Sequence, residues 1–290
     1  MSSAPDEPQV AQPGGAGRAF DLKRIAVSGV SYAASFLVTT VLHELAHYVV
    51  ALGWGRDPTL FHNSVQSALE VSNTARVTTS LAGPIFSLLQ GVLLLPLERR
   101  LRKASPELRL FVVWLAFHGL MNATGYLFTT AFVPDADMGS AARRLEIPFW
   151  GMLAMSGLGF WSIRVAAHWI YPGFVALLPS NARTDVSARN RGLVGLALFA
   201  WPIGVLLVLP ASLPVPHWLS LMYVLIAGVG SVWFTDFSKA DAKAGKSPVS
   251  DTETSTPDGL NVALPALNAG LWVVLTLLCL LVLRHGVHLG

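Results

Sequence analysis

The sequence predicts an all-α polytopic membrane protein, a transmembrane helix bundle of six or seven spans with a short β-hairpin-like loop between spans one and two. Three observations predict it. Of the 290 residues, 53% are hydrophobic and only 13% charged, about half the charged fraction of an ordinary soluble domain. The mean hydropathy is positive, +0.54. Apolar runs near the roughly 20 residues that a bilayer crossing requires recur along the chain. Those runs lie at about 25–52, 79–97, 108–132, 150–177, 192–213, 217–235 and 267–284.

In order along the chain, residues 1–24 form an N-terminal tail rich in Pro, Gly, Ala, Ser and Gln. It lacks the apolar core of a signal peptide and is expected to be disordered. Residues 25–145 hold the first three spans. Between spans one and two, Leu69, Val71 and Val77 alternate around Ser72-Asn73, the pattern of a short hairpin. Residues 146–290 hold the remaining spans. Arg164 and His168, four apart in the fourth, are expected to form an internal polar pair set against Glu146 or Asp236. Spans five and six are joined through Pro210, Pro214 and Pro216, and residues 238–260 read as a polar loop.

If all seven segments cross, fourteen Lys and Arg residues lie on the side of the N-terminus and five on the other. By the positive-inside rule this predicts a cytoplasmic N-terminus, in the cell membrane. No basic stretch is interleaved with aromatics, so a nucleic-acid partner is not expected. The single cysteine, Cys279, excludes an intramolecular disulfide and a cysteine-based metal cage.

The sharpest motif is His43-Glu44-Leu45-Ala46-His47, inside the first span. Residues four apart share a helix face, so His43 and His47 can place two imidazole nitrogens on one metal ion, about 2 Å away. Glu44 can then reach a water whose pKa Zn2+ lowers to about 7, and act as general base. Two histidines and a glutamate in an apolar helix are costly unless they are paired or functional. A third ligand is needed. The metzincin extension is excluded, because Val50 and Gly53 stand where it requires Gly and His. Glu70 has a spacing open to a soluble gluzincin but lies in a short polar loop. The end of span three offers Asp135 and Asp137 in Val133-Pro134-Asp135-Ala136-Asp137-Met138-Gly139. Spans one and three run in the same direction, so their ends approach the same membrane face as Ser80-Leu81-Ala82-Gly83-Pro84, which opens span two. His118 lies too early in span three to match the depth of His47 and is expected to be a hydrogen-bonded core residue. Asn122 can either hydrogen-bond an extended substrate strand or pack between helices.

H-E-x-x-H, Ala-Gly-Pro opening a second helix, and an Asp near the end of a third resemble the site-2 protease family of intramembrane zinc proteases, over about residues 25–145. That resemblance implies zinc held by His43, His47 and Asp137, with Asp135 the alternative. It also implies Glu44 as the catalytic base, a substrate with a transmembrane helix, and a hairpin that supports the unwound substrate by strand addition. The chain departs from the family at Ser87 or its neighbours, where Asn is frequent, and in the wide separation of Asn122 from Pro134. The family usually keeps zinc near the cytoplasmic side, whereas the charge count places it near the opposite face. Other readings are a proteolytically inactive zinc protein that binds a partner helix and a metal or solute transporter. The paired halves of a transporter are not visible.

Overall fold

A computed structural model describes residues 21–67, 69, 71–101, 104–214, 221–246 and 266–288. Most of the tail expected at 1–24, and residues 247–260 of the expected polar loop, lie outside this set.

The regular elements among the described residues are helices apart from one small hairpin. Helix α1, Leu22–Gly53, starts inside the expected tail, where the Asp21 side chain accepts from the Lys23 and Arg24 amides and satisfies its first free N–H groups. The hairpin follows, with β1 (Thr59–Leu60) antiparallel to β2 (Val65–Gln66). Helix α2 is Asn73–Arg100, and Ser72 Oγ accepts from the Ala75 amide at its start. Helix α3, Pro106–Thr129, opens with Ser105 as N-cap and Pro at the first position, which has no amide partner to lose. Short α4 is Asp137–Arg144 and long α5 is Phe149–Ala176. Then come α6 (Ser180–Thr184) and α7 (Val186–Leu193), a π-helical turn at Val194–Phe199, and α8 (Ala200–Ser212). Last are α9 (Leu221–Ser231), α10 (Phe234–Lys243) and α11 (Ala266–Leu281).

Five helical segments among the described residues are long and apolar enough to cross a membrane: Leu22–Gly53, Asn73–Leu97, Pro106–Thr129, Val186–Ser212 and Ala266–His285. The fourth and sixth predicted spans are not among them. Helix α5 is long enough but carries Arg164, and the described part of the sixth is the 11-residue α9. The five segments differ in burial. Two-thirds of the apolar windows of α1 and α3 are buried, against 17% of that of α11. Helices α1 and α3 therefore form the centre. Large apolar side chains such as Leu93 on α2, Leu206 on α8 and Val274 on α11 stay exposed on the outside, as lipid-facing residues do.

Interhelical polar contacts tie the centre together. Trp114 donates to Ser28 Oγ, Asn268 to Ser31 Oγ, and Gln90 to Thr39 Oγ1 and the Leu115 carbonyl. Inside hydrocarbon such groups find partners in one another. His118 belongs to this core. It is 3% exposed, boxed by the rings of Tyr32, Phe36 and Trp114, and contacts the Tyr32 backbone.

Three expectations need correction. The hairpin lies earlier than Ser72-Asn73, because those residues have capping chemistry and begin α2. The turn is at Phe61–Ser64 instead, and Leu60 also pairs with Val287 near the C-terminal end of the chain. Arg164 and His168 are not internal. Both are exposed on α5, the Arg164 guanidinium over the Phe237 and Trp233 rings and His168 edge-on to Phe237. Aromatic faces can accept a cation without the burial that a buried ion pair demands. Lys239 and Lys243, placed in the polar loop, lie within α10.

Candidate metal centre

Helix α1 presents His43 and His47 on one face, one turn apart, 2% and 5% exposed. Helix α2 enters beside them. A Cβ built on Gly83 would lie 2.3 Å from His47 Nε2 and 2.5 Å from His43 Nε2, so only glycine leaves the space between the two nitrogens open. The third component arrives from beyond α3. The chain turns tightly at Val133–Ala136, and α4 folds back so closely that a Cβ on Gly139 would meet the Val133 carbonyl oxygen. That turn brings Asp137, in the first turn of α4, onto the histidine pair.

Asp137 Oδ2 lies 3.0 Å from His43 Nε2 and 3.1 Å from His47 Nε2, and the two Nε2 atoms are 3.1 Å apart. For bonds of about 2.0–2.1 Å, the donors on one face of a tetrahedron are about 3.3 Å apart. The triangle is thus close to one face of a tetrahedral site. The three residues form a group able to hold a metal ion.

Hydrogen-bond bookkeeping points the same way. His47 Nδ1 is 2.6 Å from the Thr79 carbonyl oxygen. A carbonyl only accepts, so Nδ1 carries the proton and Nε2 of the neutral ring offers a lone pair. His43 Nδ1 is 3.0 Å from Ser87 Oγ, which can fix the same tautomer. With both rings neutral, two nitrogen lone pairs and a carboxylate oxygen converge at about van der Waals contact, an arrangement that a metal ion among them, or a proton on one Nε2, relieves. Thr79 and Ser87 stand where outer partners orient the imidazoles of a metal site. Outside the spans, Asp137 itself feels opposing effects. Burial disfavours its charge, but the neighbouring His47 and His43 outweigh this and hold its carboxyl below the usual range.

Asp135 does not join the cluster. Its side chain is 86% exposed and paired with Arg143 at 2.8 Å. Glu44 is 7% exposed and lies near His47 and Asp137. Asn122 lies against His43. Four groups at this centre had no assigned role in the sequence. Ser87 stands four residues after Gly83, on the same face of α2, a spacing that could have identified it. The roles of the Thr79 carbonyl and Gly139 leave no local signal. Tyr126, whose ring stacks on His43 at 5.1 Å and 11°, reads in the sequence as one more apolar-helix aromatic.

In comparison with known proteins, the chain matches no family model, and no curated protein or solved structure is significantly similar to it.

Proposed function

We propose that this chain is a membrane-embedded zinc endopeptidase that hydrolyses a peptide bond in or near a transmembrane helix of its substrate, as its resemblance to the site-2 protease family implies. The observation that carries the reading is the convergence of the H-E-x-x-H imidazoles with Asp137 around a space that Gly83 keeps open, with Glu44 alongside. A purely structural ion has no need of that carboxylate.

His43, His47 and Asp137 would hold zinc, which when bound supplies a Lewis acid for the scissile carbonyl and acidifies a water. The chain's own residues do the rest. Glu44 takes a proton from the attacking water as its oxygen bonds to the carbonyl carbon. When the carbon–nitrogen bond breaks, Glu44 returns that proton to the amine nitrogen. One water is consumed, and a carboxylic acid and an amine are released. The Asp137 side chain is a quarter exposed, which gives this side of the cluster an opening for water.

The test is Glu44→Gln in zinc-loaded protein reconstituted with a panel of single-span reporter proteins. The expected result is cleavage of a reporter by the unaltered chain and a loss of about a thousandfold or more in the variant. The variant should keep its zinc. Zinc-loaded protein that cleaves no reporter, or a variant as active as the unaltered chain, overturns the reading.

A further inference from the structure

Arginines from three elements meet where α1 ends and α2 begins. Helix α1 stops at Gly53 and Arg56 follows in the loop, while α2 opens at Asn73 with Arg76 in its first turn. Helix α4 brings the third, Arg144, as its last residue. The Asn73 side-chain amide donates to the Arg144 carbonyl at 2.9 Å, which sets the end of α4 against the start of α2. Arg76, three residues on from Asn73, lies on the same side of α2. Ser67 Oγ donates to the Arg56 carbonyl and holds that residue in the loop. Burial first, and then the like charges of Arg76 and Arg144, lower the Arg56 pKa from its ordinary value.

Two of these cations lack a counter-charge. Asp57 pairs with His288 at 2.9 Å and Asp135 with Arg143 at 2.8 Å. Among the described residues, no carboxylate forms a salt bridge with Arg56 or Arg144. Arg56 Nε is buried without a hydrogen-bond partner. An anion between the two guanidinium groups would reverse the sign of their interaction and give each a charge-assisted hydrogen bond. The surroundings say which anion. Leu52 and Trp54, just before Arg56, and Leu145, just after Arg144, are exposed. Arg56 also lies just beyond the end of a segment long and apolar enough to cross a membrane. Exposed indole and aliphatic side chains beside cations are the composition of the headgroup level of a bilayer. A free phosphate gains nothing from that apolar rim, whereas a phospholipid lays its chains against it.

We propose that Arg56 and Arg144 form a binding site for the phosphate of an anionic phospholipid, with Leu52, Trp54 and Leu145 against its acyl chains. The planar guanidinium forks suit phosphate oxygens. The bound headgroup ties the end of α4 to the loop after α1. Neither arginine belongs to the metal centre, so the site stands independently of the hydrolytic reading.

Native mass spectrometry of the full-length protein in a maltoside detergent counts bound lipids one at a time. The first molecule of dioleoylphosphatidylglycerol should bind the unaltered chain about tenfold or more tightly than the first of dioleoylphosphatidylcholine, whose headgroup has no net charge. Arg56→Gln and Arg144→Gln should each weaken the first phosphatidylglycerol about fivefold, and the two together should erase the preference. If the double variant does not fold, the single variants decide. Arg164→Gln, at the exposed arginine on α5, should leave the preference unchanged. Equal affinity of the unaltered chain for the two lipids, or an undiminished preference in the Arg56 and Arg144 variants, overturns the proposal. Inorganic phosphate at the same concentration should displace little of the lipid; complete displacement would make this a site for a free anion and overturn its assignment to a lipid.

Discussion

Two buried polar clusters stand at different places in the bundle, and they are built on opposite plans. Around Arg189, on α7, donors meet acceptors. Nε donates to Ser238 Oγ at 2.8 Å, and the terminal nitrogens donate to the Arg183 and Ser238 carbonyls at 3.0 and 3.1 Å. That cluster closes on itself and braces α7 against α10. Around His43, His47 and Asp137, two imidazole nitrogens and a carboxylate oxygen meet at similar distances, and with neutral rings all three are acceptors. Similar spacing thus carries opposite meanings once the protons are placed. One cluster is complete as protein; the other has a donor set that can hold a metal ion.

Substitutions separate the two plans. The largest effect is expected at the aspartates. Asp137→Asn removes the anionic donor and should lower zinc affinity by about a hundredfold or more, whereas Asp135→Asn, at the exposed pair with Arg143, should leave zinc binding within about twofold. Isothermal titration with zinc checks both, and equal effects would erase the distinction. Gly83→Ala comes next. Its methyl group would sit at 2.3 and 2.5 Å from the two Nε2 atoms, so metal affinity should drop at least tenfold in a chain that still folds. Normal zinc uptake by that variant would mean that α2 does not border the ion. On the other cluster, Arg189→Ala removes the three donors that tie Ser238 Oγ and the Arg183 and Ser238 carbonyls together. A loss of about 3 kcal/mol is expected in thermal or denaturant unfolding, with zinc content per folded chain unchanged. Loss of zinc on that substitution would show that the clusters are not independent.

How much of this was legible in the sequence depends on how local each signal is. The long apolar runs and the four-residue spacing of His43 and His47 are local, and the helices and the shared face follow from them. Asp137 was only half legible. Two aspartates stood within reach, and the choice depends on a backbone turn in which Gly139 lets α4 pack against the Val133 carbonyl. The hairpin was anticipated between the right helices but at the wrong residues. Alternation around Ser72-Asn73 competed with the capping preference of Ser72, and capping won. Arg164 was assigned a carboxylate partner because a charge in an apolar segment needs a partner, but tertiary structure offered the Phe237 and Trp233 rings. Tyr126 was beyond reach, since nothing in an apolar helix marks which aromatic will meet an imidazole from another.

Metal analysis of the purified protein tests the central claim most directly. After incubation with zinc and removal of free ion, the unaltered chain should retain about one zinc per molecule and His43→Ala with His47→Ala close to none. An unaltered chain that retains no zinc, or a double variant that retains as much, would contradict it.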